Sequence, residues 1–546
     1  MPPSRFLPFR SLSAALTMLA ALVAPMVCTQ DLAAQSKVML DKEIRIKEWG
    51  YQFRPIKDWN PMPADQDDRK TVGRWKLDLS EFEKRGNYEA LSAGRHNELM
   101  IVRIQTQAET PSGASSNSGK ESALPAGWDK KLNPKTIEEL IESRWDGASK
   151  RWLRQPLKGG KMPGEILDFG SGDEHITIGM FRHMGVEWAM IYVAYEENYS
   201  KTWKDIYIKS MQTFKVTEKV DDKVVQANNK DISKLEGEEK REALHASIAG
   251  TPGWYYIDTK YYVFLSNANR QFVERLAKDI EAVREAVYIP TFKPRNEKIP
   301  LSPVRVFATQ SEYHLFGGPG GSAGYFAPSK GELVLFEKFE DQSATKSQSD
   351  CRSVMFHEGF HQYIHFAVGD VSPHSWFNEG HGDYFAGLQV SNGKVAPRVE
   401  PFDWRVRFLK DHMQGGRDLI PLRSLLRYPQ SEYYQNPGLK YSQGWAVIYY
   451  LRQVTKDKAQ REALETYFNY LADNITAFRA KKKSEEGDED DKPRGEPVPG
   501  IPGLRVFDFE NQAAVDRILS EAVDKAFATI DLEALDADLR AWIAKL

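Results

Sequence analysis

Alternating and helical patterns of apolar residues predict a compact unit in the first part of the chain. Strand-like runs cover Leu99 to Ile104, His175 to Phe181 and Trp188 to Tyr195. Helical patterns cover Pro134 to Arg151 and Trp203 to Phe214. Together they predict a small N-terminal α/β domain over residues 35–217, interrupted by a flexible Ser- and Gly-rich excursion from Thr110 to Ala126.

The pattern changes after this domain. Residues 218–252 are charged and short of large apolar side chains, which is typical of a linker. Residues 253–546 then predict a second domain that begins with strands and an amphipathic helix and becomes mostly helical. The predicted elements are strands in Tyr255 to Ser266, Pro303 to Ala308 and Glu332 to Phe336, and helices in Arg270 to Tyr288, Trp404 to His412, Tyr441 to Lys456, Gln460 to Lys482 and Ala513 to Leu546. The predicted fold class is α+β.

The N-terminus carries the features of an export signal. Arg5 and Arg10 precede an apolar run from Ala14 to Val27, which is shorter than a membrane span. Ala33 and Ala34 offer a cleavage site, so residues 1–34 are predicted to be a signal peptide. The protein is then expected to be secreted or periplasmic, with no membrane span after processing. An uncleaved N-terminal anchor is the alternative.

Charge and cysteine content exclude two classes of protein. The formal charge of −3 provides no basic surface for nucleic acid. Cleavage after residue 34 would remove Cys28 and leave Cys351 alone, which excludes an intramolecular disulfide. We expect Cys351 to be a buried structural cysteine.

The sequence His357-Glu358-Gly359-Phe360-His361 is the strongest chemical signal in the chain. On a helix, His357 and His361 lie one turn apart on one face, so both imidazoles can reach one metal ion. Glu358 lies beside them and can act as a general base on a metal-bound water. Large apolar residues surround the motif, which predicts that this helix is buried.

A catalytic zinc site needs a third protein ligand and an open fourth position. Glu379 follows His361 by eighteen residues, within Asn378-Glu379-Gly380-His381-Gly382-Asp383, and is predicted to start a second, antiparallel helix. Asp383, one turn further along, can accept a hydrogen bond from a ligand histidine. Of the other nearby histidines, His381 is the one expected to contact substrate.

These motifs resemble those of the gluzincins, the metallopeptidases with H-E-x-x-H and a glutamate on a following helix. The N-E-G wording is similar to the aminopeptidase N family, and the surrounding pattern resembles peptidase MA-like domains of secreted bacterial proteins. The resemblance implies a zincin-like catalytic domain, Zn²⁺ bound by His357, His361 and Glu379, and Glu358 as the catalytic base. The N-terminal domain weakly resembles the PsbP and Mog1 sandwich.

Tyr441-Ser442-Gln443-Gly444 is similar to the Tyr-x-Lys-Gly segment of aminopeptidase N relatives, although Gln443 stands where lysine is usual. The resemblance implies that the Tyr441 hydroxyl stabilises the oxyanion formed from the substrate. Alternatively, Tyr441 opens a core helix that continues through Trp445, Ile448 and Leu451.

The glycine-rich stretch from Gly317 to Gly324 precedes a predicted strand instead of a helix, so a phosphate loop is disfavoured. We interpret it as a rim loop leading to an edge strand that pairs with an extended peptide. The Gly-x-Met-Glu-Asn segment with which aminopeptidase N relatives bind a free amine is absent, which favours an endopeptidase.

The sequence therefore predicts a secreted zinc metallopeptidase that hydrolyses peptide bonds through a zinc-bound water. Its expected partner is a peptide or protein substrate; no partner is predicted for the N-terminal domain. The alternative is a catalytically silent zincin-fold binding module at the cell surface or in the periplasm.

Overall fold

The computed structural model describes a large part of the chain. The described residues are 39–64, 70–77, 96–105, 134–195, 201–295, 299–338, 351–486, 496–497, 505–506 and 509–546, apart from 219, 221, 229, 231, 392 and 436. The predicted signal peptide and the excursion from Thr110 to Ala126 lie outside them. Within this part of the chain, no helix is both long and apolar enough to cross a membrane.

The first region is organised around a seven-stranded antiparallel sheet. Its strands and helices are β1 (Ile44–Ile46), β2 (Tyr51–Phe53), β3 (Trp59–Met62), β4 (Thr71–Leu77), β5 (Glu98–Gln105), α1 (Ile137–Arg144), β6 (Leu153–Pro156), β7 (Gly164–Ser171), β8 (Glu174–His183), β9 (Val186–Tyr195), α2 (Lys201–Gln212) and β10 (Lys215–Val216). The large sheet has the order β3-β4-β5-β9-β8-β7-β6, and β1, β2 and β10 form a separate three-stranded sheet.

Both faces of the large sheet are covered because its central strands alternate apolar side chains on each side. On β9, Trp188 and Tyr192 pack in one core with α2, whereas Ile191 packs in a second core with α1. The turn between β8 and β9 places Met184 and Gly185 at positive φ, as the tight turn of a two-residue hairpin requires.

Two helices connect the regions, where the sequence predicted a charged linker: α3 (Asp222–Asn228) and α4 (Gly237–Ser247). Leu244 of α4 is fully buried and packs with Val263 and Leu265 of the next sheet. This segment is therefore packed against the second region along part of its length.

The second region begins with a mixed five-stranded sheet in the order β11-β12-β13-β15-β14. The strands are β11 (Tyr255–Asp258), β12 (Tyr262–Ser266), β13 (Ser302–Thr309), β14 (Gly324–Ala327) and β15 (Glu332–Lys338). The central strand β13 runs parallel to both β12 and β15, whereas β14 is antiparallel to β15 and forms one edge.

Helices surround this sheet and continue to the C-terminus. They are α5 (Arg270–Val283), α6 (Gln310–Phe316), α7 (Cys351–Val368), α8 (Ser375–Ala386), α9 (Asp403–Gln414), α10 (Leu422–Leu425), α11 (Gln430–Tyr433), α12 (Pro437–Tyr449), α13 (Lys458–Glu486), α14 (Phe509–Ala526) and α15 (Leu532–Ile543). The π-helical segments Arg284–Tyr288 and Tyr450–Val454 continue α5 and α12. Short hairpins join β16 (Val390–Ser391) to β17 (Lys394–Val395) and β18 (Glu496–Pro497) to β19 (Arg505–Val506).

One face of the five-stranded sheet supports α7. Val304 and Leu335 on this face belong to the same core as Ile280 of α5 and Phe360 of α7. Gly359 brings α7 close to α5, because a Cβ at this position would lie 2.9 Å from Cδ1 of Ile280. The helix that carries the H-E-x-x-H motif is therefore held between the sheet and α5.

The opposite face of the sheet contacts the first region. Lys76 of β4 donates a hydrogen bond from Nζ to the carbonyl oxygen of Leu315 in α6, at 2.6 Å. Met62 of β3 packs in one cluster with Tyr313 and Phe336. The first region thus rests on α6, next to the glycine-rich loop.

The C-terminal helix packs on α12. The Trp542 ring of α15 stacks on Tyr449 with centroids 5.7 Å apart and lies 6.3 Å from Trp445. Arg540 donates to the carbonyl oxygen of Leu419 at 3.0 Å.

The mixed α+β class predicted from the sequence is confirmed. The predicted strands and helices that fall within the described residues are present, with ends shifted by a few residues. The largest error concerns α1, which ends at Arg144, whereas the predicted helix extended to Arg151. Helix α8 begins at Ser375, one turn before the predicted start at Glu379. Helix α6, with its Thr309–Glu312 capping box, was not predicted.

Candidate metal centre

Three side chains from α7 and α8 converge on one point. His357 and His361 lie one turn apart on α7, and Glu379 lies on the second turn of α8. The Nε2 atoms of His357 and His361 each lie 3.2 Å from Oε2 of Glu379. Among the described residues, these three form the group whose donor atoms could hold one metal ion, all within 4.8 Å of one another.

A hydrogen bond at Nδ1 orients each of the two imidazole rings. Nδ1 of His357 lies 3.2 Å from Oδ1 of Asp383, and Nδ1 of His361 lies 2.9 Å from Oδ1 of Asn378. A carboxylate and an amide oxygen only accept hydrogen bonds, so each Nδ1 carries the proton. The Nε2 atoms therefore face the point of convergence, and each can give up its own proton to a metal ion that binds there.

A second set of contacts fixes the carboxylates. Nε of Arg405 donates to Oδ2 of Asp383 at 2.6 Å, and the Arg405 guanidinium stacks over the Trp404 ring at 3.7 Å. The hydroxyl of Tyr434 donates to Oε1 of Glu379 at 2.6 Å. Glu379, Asp383 and Arg405 are all buried, so the contacts around the two histidines lie largely away from water.

The electrostatic field at the site favours a cation. Burial lowers the pKa of His357, but hydrogen bonds to Asp383 and Glu379 outweigh it and raise that pKa to about 10. Burial likewise raises the pKa of Glu379, yet the positive potential of His361 and the hydrogen bonds from both histidines hold it well below its usual range. Negative charge thus dominates around the imidazoles.

Glu358 lies next to this cluster on α7 and is partly exposed. No hydrogen bond from another described residue reaches its carboxylate, in contrast to Glu379 and Asp383. Its charge nevertheless acts on both histidines and on Tyr313 of α6. The carboxylate is therefore available to a bound water or substrate between the histidines and the rim formed by α6.

Tyr441 lies at the periphery of the cluster. Its ring lies 6.1 Å from the Tyr434 ring and 5.0 Å from the Arg405 guanidinium. Burial, followed by the negative charge of Glu379, raises the pKa of Tyr441 well above its usual value, so the hydroxyl is a neutral hydrogen-bond donor. Tyr441 does not open this core helix, as the sequence suggested, but lies on the second turn of α12, which begins at Pro437 and continues through Trp445. Both roles considered from the sequence are compatible with this position.

Gln443 occupies the position at which the related segment has lysine. Its side chain binds the backbone of the loop at Ile420. Its Oε1 accepts from the backbone N–H of Ile420 at 3.0 Å, and its Nε2 donates to the carbonyl oxygen of the same residue. Gln443 is fully buried. The residue that differs from the aminopeptidase N pattern is therefore packed in the core behind the candidate metal centre.

The expectation that His381 contacts substrate is wrong. His381 is fully buried, its Nδ1 pairs with the carbonyl oxygen of Phe377 at 2.9 Å, and its Nε2 accepts from Arg452 at 2.9 Å. Its ring packs against Phe377, 4.3 Å away between centroids. His381 points into the core because it lies two residues after Glu379 and so faces nearly the opposite side of α8.

The sequence did not assign roles to Asn378, Arg405 or Tyr434. Asn378 directly precedes Glu379 in the sequence Asn378-Glu379-Gly380. This position next to a predicted ligand is the feature from which its role could have been predicted. The contacts of Arg405 and Tyr434 span 22 and 55 residues and follow no local period. They depend on how α9 and the loop after α11 fold back over α8.

Gly382 leaves room for the His357 ring. A Cβ at position 382 would lie 2.8 Å from Cε1 and 2.9 Å from Nδ1 of His357. We expect Gly382→Ala to displace this ring from Asp383 and to weaken zinc binding by about 10–100-fold, the usual effect of disturbing an outer contact of a metal ligand. Competition with a chelating dye measures this affinity.

Gly359→Ala is the matched control for Gly382→Ala. It adds the same methyl group within a helix, but against Cδ1 of Ile280, the flexible end of an aliphatic side chain. Its zinc affinity should match that of the wild type. Equal affinity in Gly382→Ala would show that the close contact with His357 does not control the ligand.

Comparisons with known proteins define no family for this chain. No family model and no curated protein matches it. A structural match covers 32% of this chain and 91% of the solution structure of cyanobacterial PsbP (CyanoP) from Synechocystis sp. PCC 6803, with 10% sequence identity and a TM-score of 0.19. A TM-score of this size supports no conclusion, so the PsbP-like character of the N-terminal domain stays a prediction.

Proposed function

We propose that this protein is a zinc-dependent metallopeptidase of the gluzincin type, acting as an endopeptidase. The observation that carries the proposal is the convergence of two imidazole Nε2 atoms and one carboxylate oxygen beside Glu358, whose carboxylate no other described residue pairs with. The order of a five-stranded sheet, the helix α7 and the helix α8 supports a zincin-like fold for the second region.

The donor set fits zinc. Zinc in catalytic sites takes three protein ligands of the histidine and carboxylate types and keeps one position open. His357, His361 and Glu379 would hold the ion, which when bound supplies Lewis-acid activation of water and of the peptide carbonyl. A closed structural site would need a fourth protein ligand, and none lies with these three among the described residues.

Glu358 is proposed to move the protons. Its free carboxylate accepts a proton from the attacking water and passes it to the nitrogen of the leaving amine. Tyr441 is proposed to donate its hydroxyl hydrogen to the oxygen of the peptide carbonyl as negative charge develops there. Asp383 and Asn378 keep the two imidazoles in the tautomer that Nε2 coordination needs.

The strand β14 offers a place for an extended peptide. Among the described strands it pairs with β15 alone, and the glycine-rich loop from Gly317 to Ser322 leads into it. Gly324 of β14 lies against Val354 of α7, so this edge runs beside the helix of the ligands. A substrate that adds to β14 as a strand can present its backbone without a free terminus, which agrees with endopeptidase action.

The experiment that tests this function combines metal analysis with proteolysis. Protein prepared without chelator is analysed by mass spectrometry and then incubated with casein, an unstructured protein. Near-stoichiometric zinc and cleavage that a chelator stops and zinc restores are expected. Zinc-free wild-type protein without activity would favour the silent binding module instead. Export of the protein, with removal of residues 1–34, stays a prediction that N-terminal sequencing can check.

The role of Tyr441 gives a separate prediction. Tyr441→Phe removes one hydroxyl and keeps the ring that packs beside Arg405. Turnover should fall by about 100-fold, as expected when one oxyanion donor is lost, while zinc content is unchanged. Tyr449→Phe on the same helix, whose hydroxyl points to the carbonyl oxygen of Val399, is the control. An unchanged rate in Tyr441→Phe would leave Tyr441 as a core residue.

A further inference from the structure

The two carboxylate oxygens of Glu379 have different partners. Oε2 faces the Nε2 atoms of His357 and His361 at 3.2 Å each. Oε1 accepts the hydroxyl hydrogen of Tyr434 at 2.6 Å. One carboxylate oxygen of Glu379 therefore faces the two histidines, and the other is occupied by the hydrogen bond from Tyr434.

The hydrogen bond from Tyr434 to Glu379 is charge-assisted and therefore strong. A neutral phenol donates here to an ionised carboxylate, and such charge-assisted bonds are shorter and about twice as strong as neutral ones. Glu379 is 5% exposed, so water competes little for Oε1. Release of this oxygen would require breaking a partly buried hydrogen bond.

The loop that carries Tyr434 is held by the start of α12. Nζ of Lys440 donates to the carbonyl oxygen of Gln435 at 2.7 Å and also to that of Glu432. The neighbouring Tyr433 returns a hydrogen bond from its hydroxyl to the carbonyl oxygen of Lys440 at 2.7 Å. These contacts on both sides of Tyr434 fix the position of its ring over α8.

We infer that Tyr434 is a positioning residue that restricts Glu379 to binding metal through one oxygen. A carboxylate can bind a metal through one oxygen or two, and the second mode would fill a position that water or substrate needs. By holding Oε1, Tyr434 keeps the metal site open. This inference rests on the metal site of the proposed function and is independent of what the enzyme cleaves.

Cobalt substitution tests the inference without any activity measurement. The visible absorption of bound Co²⁺ is strong at four-coordinate sites and weaker at higher coordination numbers. In Tyr434→Phe the freed Oε1 can join the metal, so we expect the absorption per bound Co²⁺ to fall by about two-fold or more relative to wild type. Binding is followed by titration with CoCl₂, so that spectra are compared at equal occupancy.

Tyr433→Phe is the matched control. It deletes a buried phenolic hydroxyl from the adjacent residue, but one that contacts Lys440 and not Glu379. Because it removes one contact that holds the loop but keeps the Tyr434 hydroxyl, its Co²⁺ spectrum should change much less than that of Tyr434→Phe. Lys440→Met keeps the Tyr434 hydroxyl and removes the contacts that hold its loop, so it should change the spectrum in the same direction as Tyr434→Phe but less.

The outcomes separate this inference from the proposed function. If wild type binds Co²⁺ and Tyr434→Phe gives the same spectrum, the metal site stands and the role of Tyr434 is overturned. An equal change in Tyr433→Phe and Tyr434→Phe would also overturn it, since general loosening of the loop would then be the cause. Failure of wild type to bind Co²⁺ would overturn both.

Discussion

Replacement of Glu358 by glutamine is expected to abolish nearly all peptide hydrolysis and to leave the zinc content unchanged. Glutamine keeps the shape of the side chain but cannot accept a proton from water. General base catalysis contributes about 10²–10⁴-fold, so kcat/KM on casein or a derived peptide should fall within or beyond that range. Glu358 lies outside the group of converging donor atoms, so metal binding should persist.

Glu462→Gln serves as the control for this substitution. Glu462 lies on the exposed face of α13 and pairs with Lys458 at 3.7 Å, away from the cluster. Its rate and zinc content should equal those of the wild type. Retained hydrolysis in Glu358→Gln with zinc bound would remove Glu358 from the chemistry, whereas loss of zinc would show that Glu358 supports the ligands.

Glu379→Ala should lose the metal and, with it, the activity. Disturbing an outer contact of a ligand usually costs 10–100-fold in affinity, so removal of the ligand itself should weaken zinc binding by more than about 100-fold. It also leaves two imidazoles without their common carboxylate and Tyr434 without its acceptor. Zinc content by mass spectrometry and zinc affinity by dye competition measure the effect.

A fold control is needed because Glu379 is buried. Loss of the Tyr434 hydrogen bond leaves a partly buried donor without its acceptor, which costs about 1 kcal/mol in the free energy of unfolding. Circular dichroism and a thermal melt of metal-free protein should therefore show a folded but less stable variant. Full zinc occupancy in folded Glu379→Ala would show that the ion, if present, lies elsewhere.

The sequence predicted the parts of the site that obey a local period. His357 and His361 recur at the spacing of one helical turn, and Glu379 and Asp383 repeat that spacing on the next helix. Their placement needed only the correct assignment of two helices. The same holds for the central strands of the first region, whose alternation reports directly on a sheet buried on both faces.

The remaining parts depend on contacts between distant segments. Tyr434 reaches Glu379 because the loop after α11 folds back over α8, and no pattern near residue 434 encodes that path. His381 was misjudged because its neighbour Glu379 suggested a common environment, whereas successive positions on a helix face different directions. The strands β1, β2, β3 and β4 are short or follow weak patterns, and their pairing was not predicted.

Two glycines bring α8 and α12 into backbone contact. A Cβ at Gly380 would lie 2.7 Å from the carbonyl oxygen of Gly444, and one at Gly444 would lie 2.4 Å from the hydroxyl oxygen of Tyr433. The helix of Glu379 and the helix of Tyr441 are therefore closely packed against each other. Substitution of either glycine should therefore displace both Glu379 and Tyr441.

The packing of α15 on α12 has a consequence for folding during synthesis. Trp542 of α15 covers Tyr449 and Trp445, and Arg540 holds the loop that Gln443 also binds. Because α15 follows both H-E-x-x-H and Glu379 in the chain, the ribosome makes these motifs before it makes the helix that covers α12. The packing behind Tyr441 can therefore form only after α15 has been made.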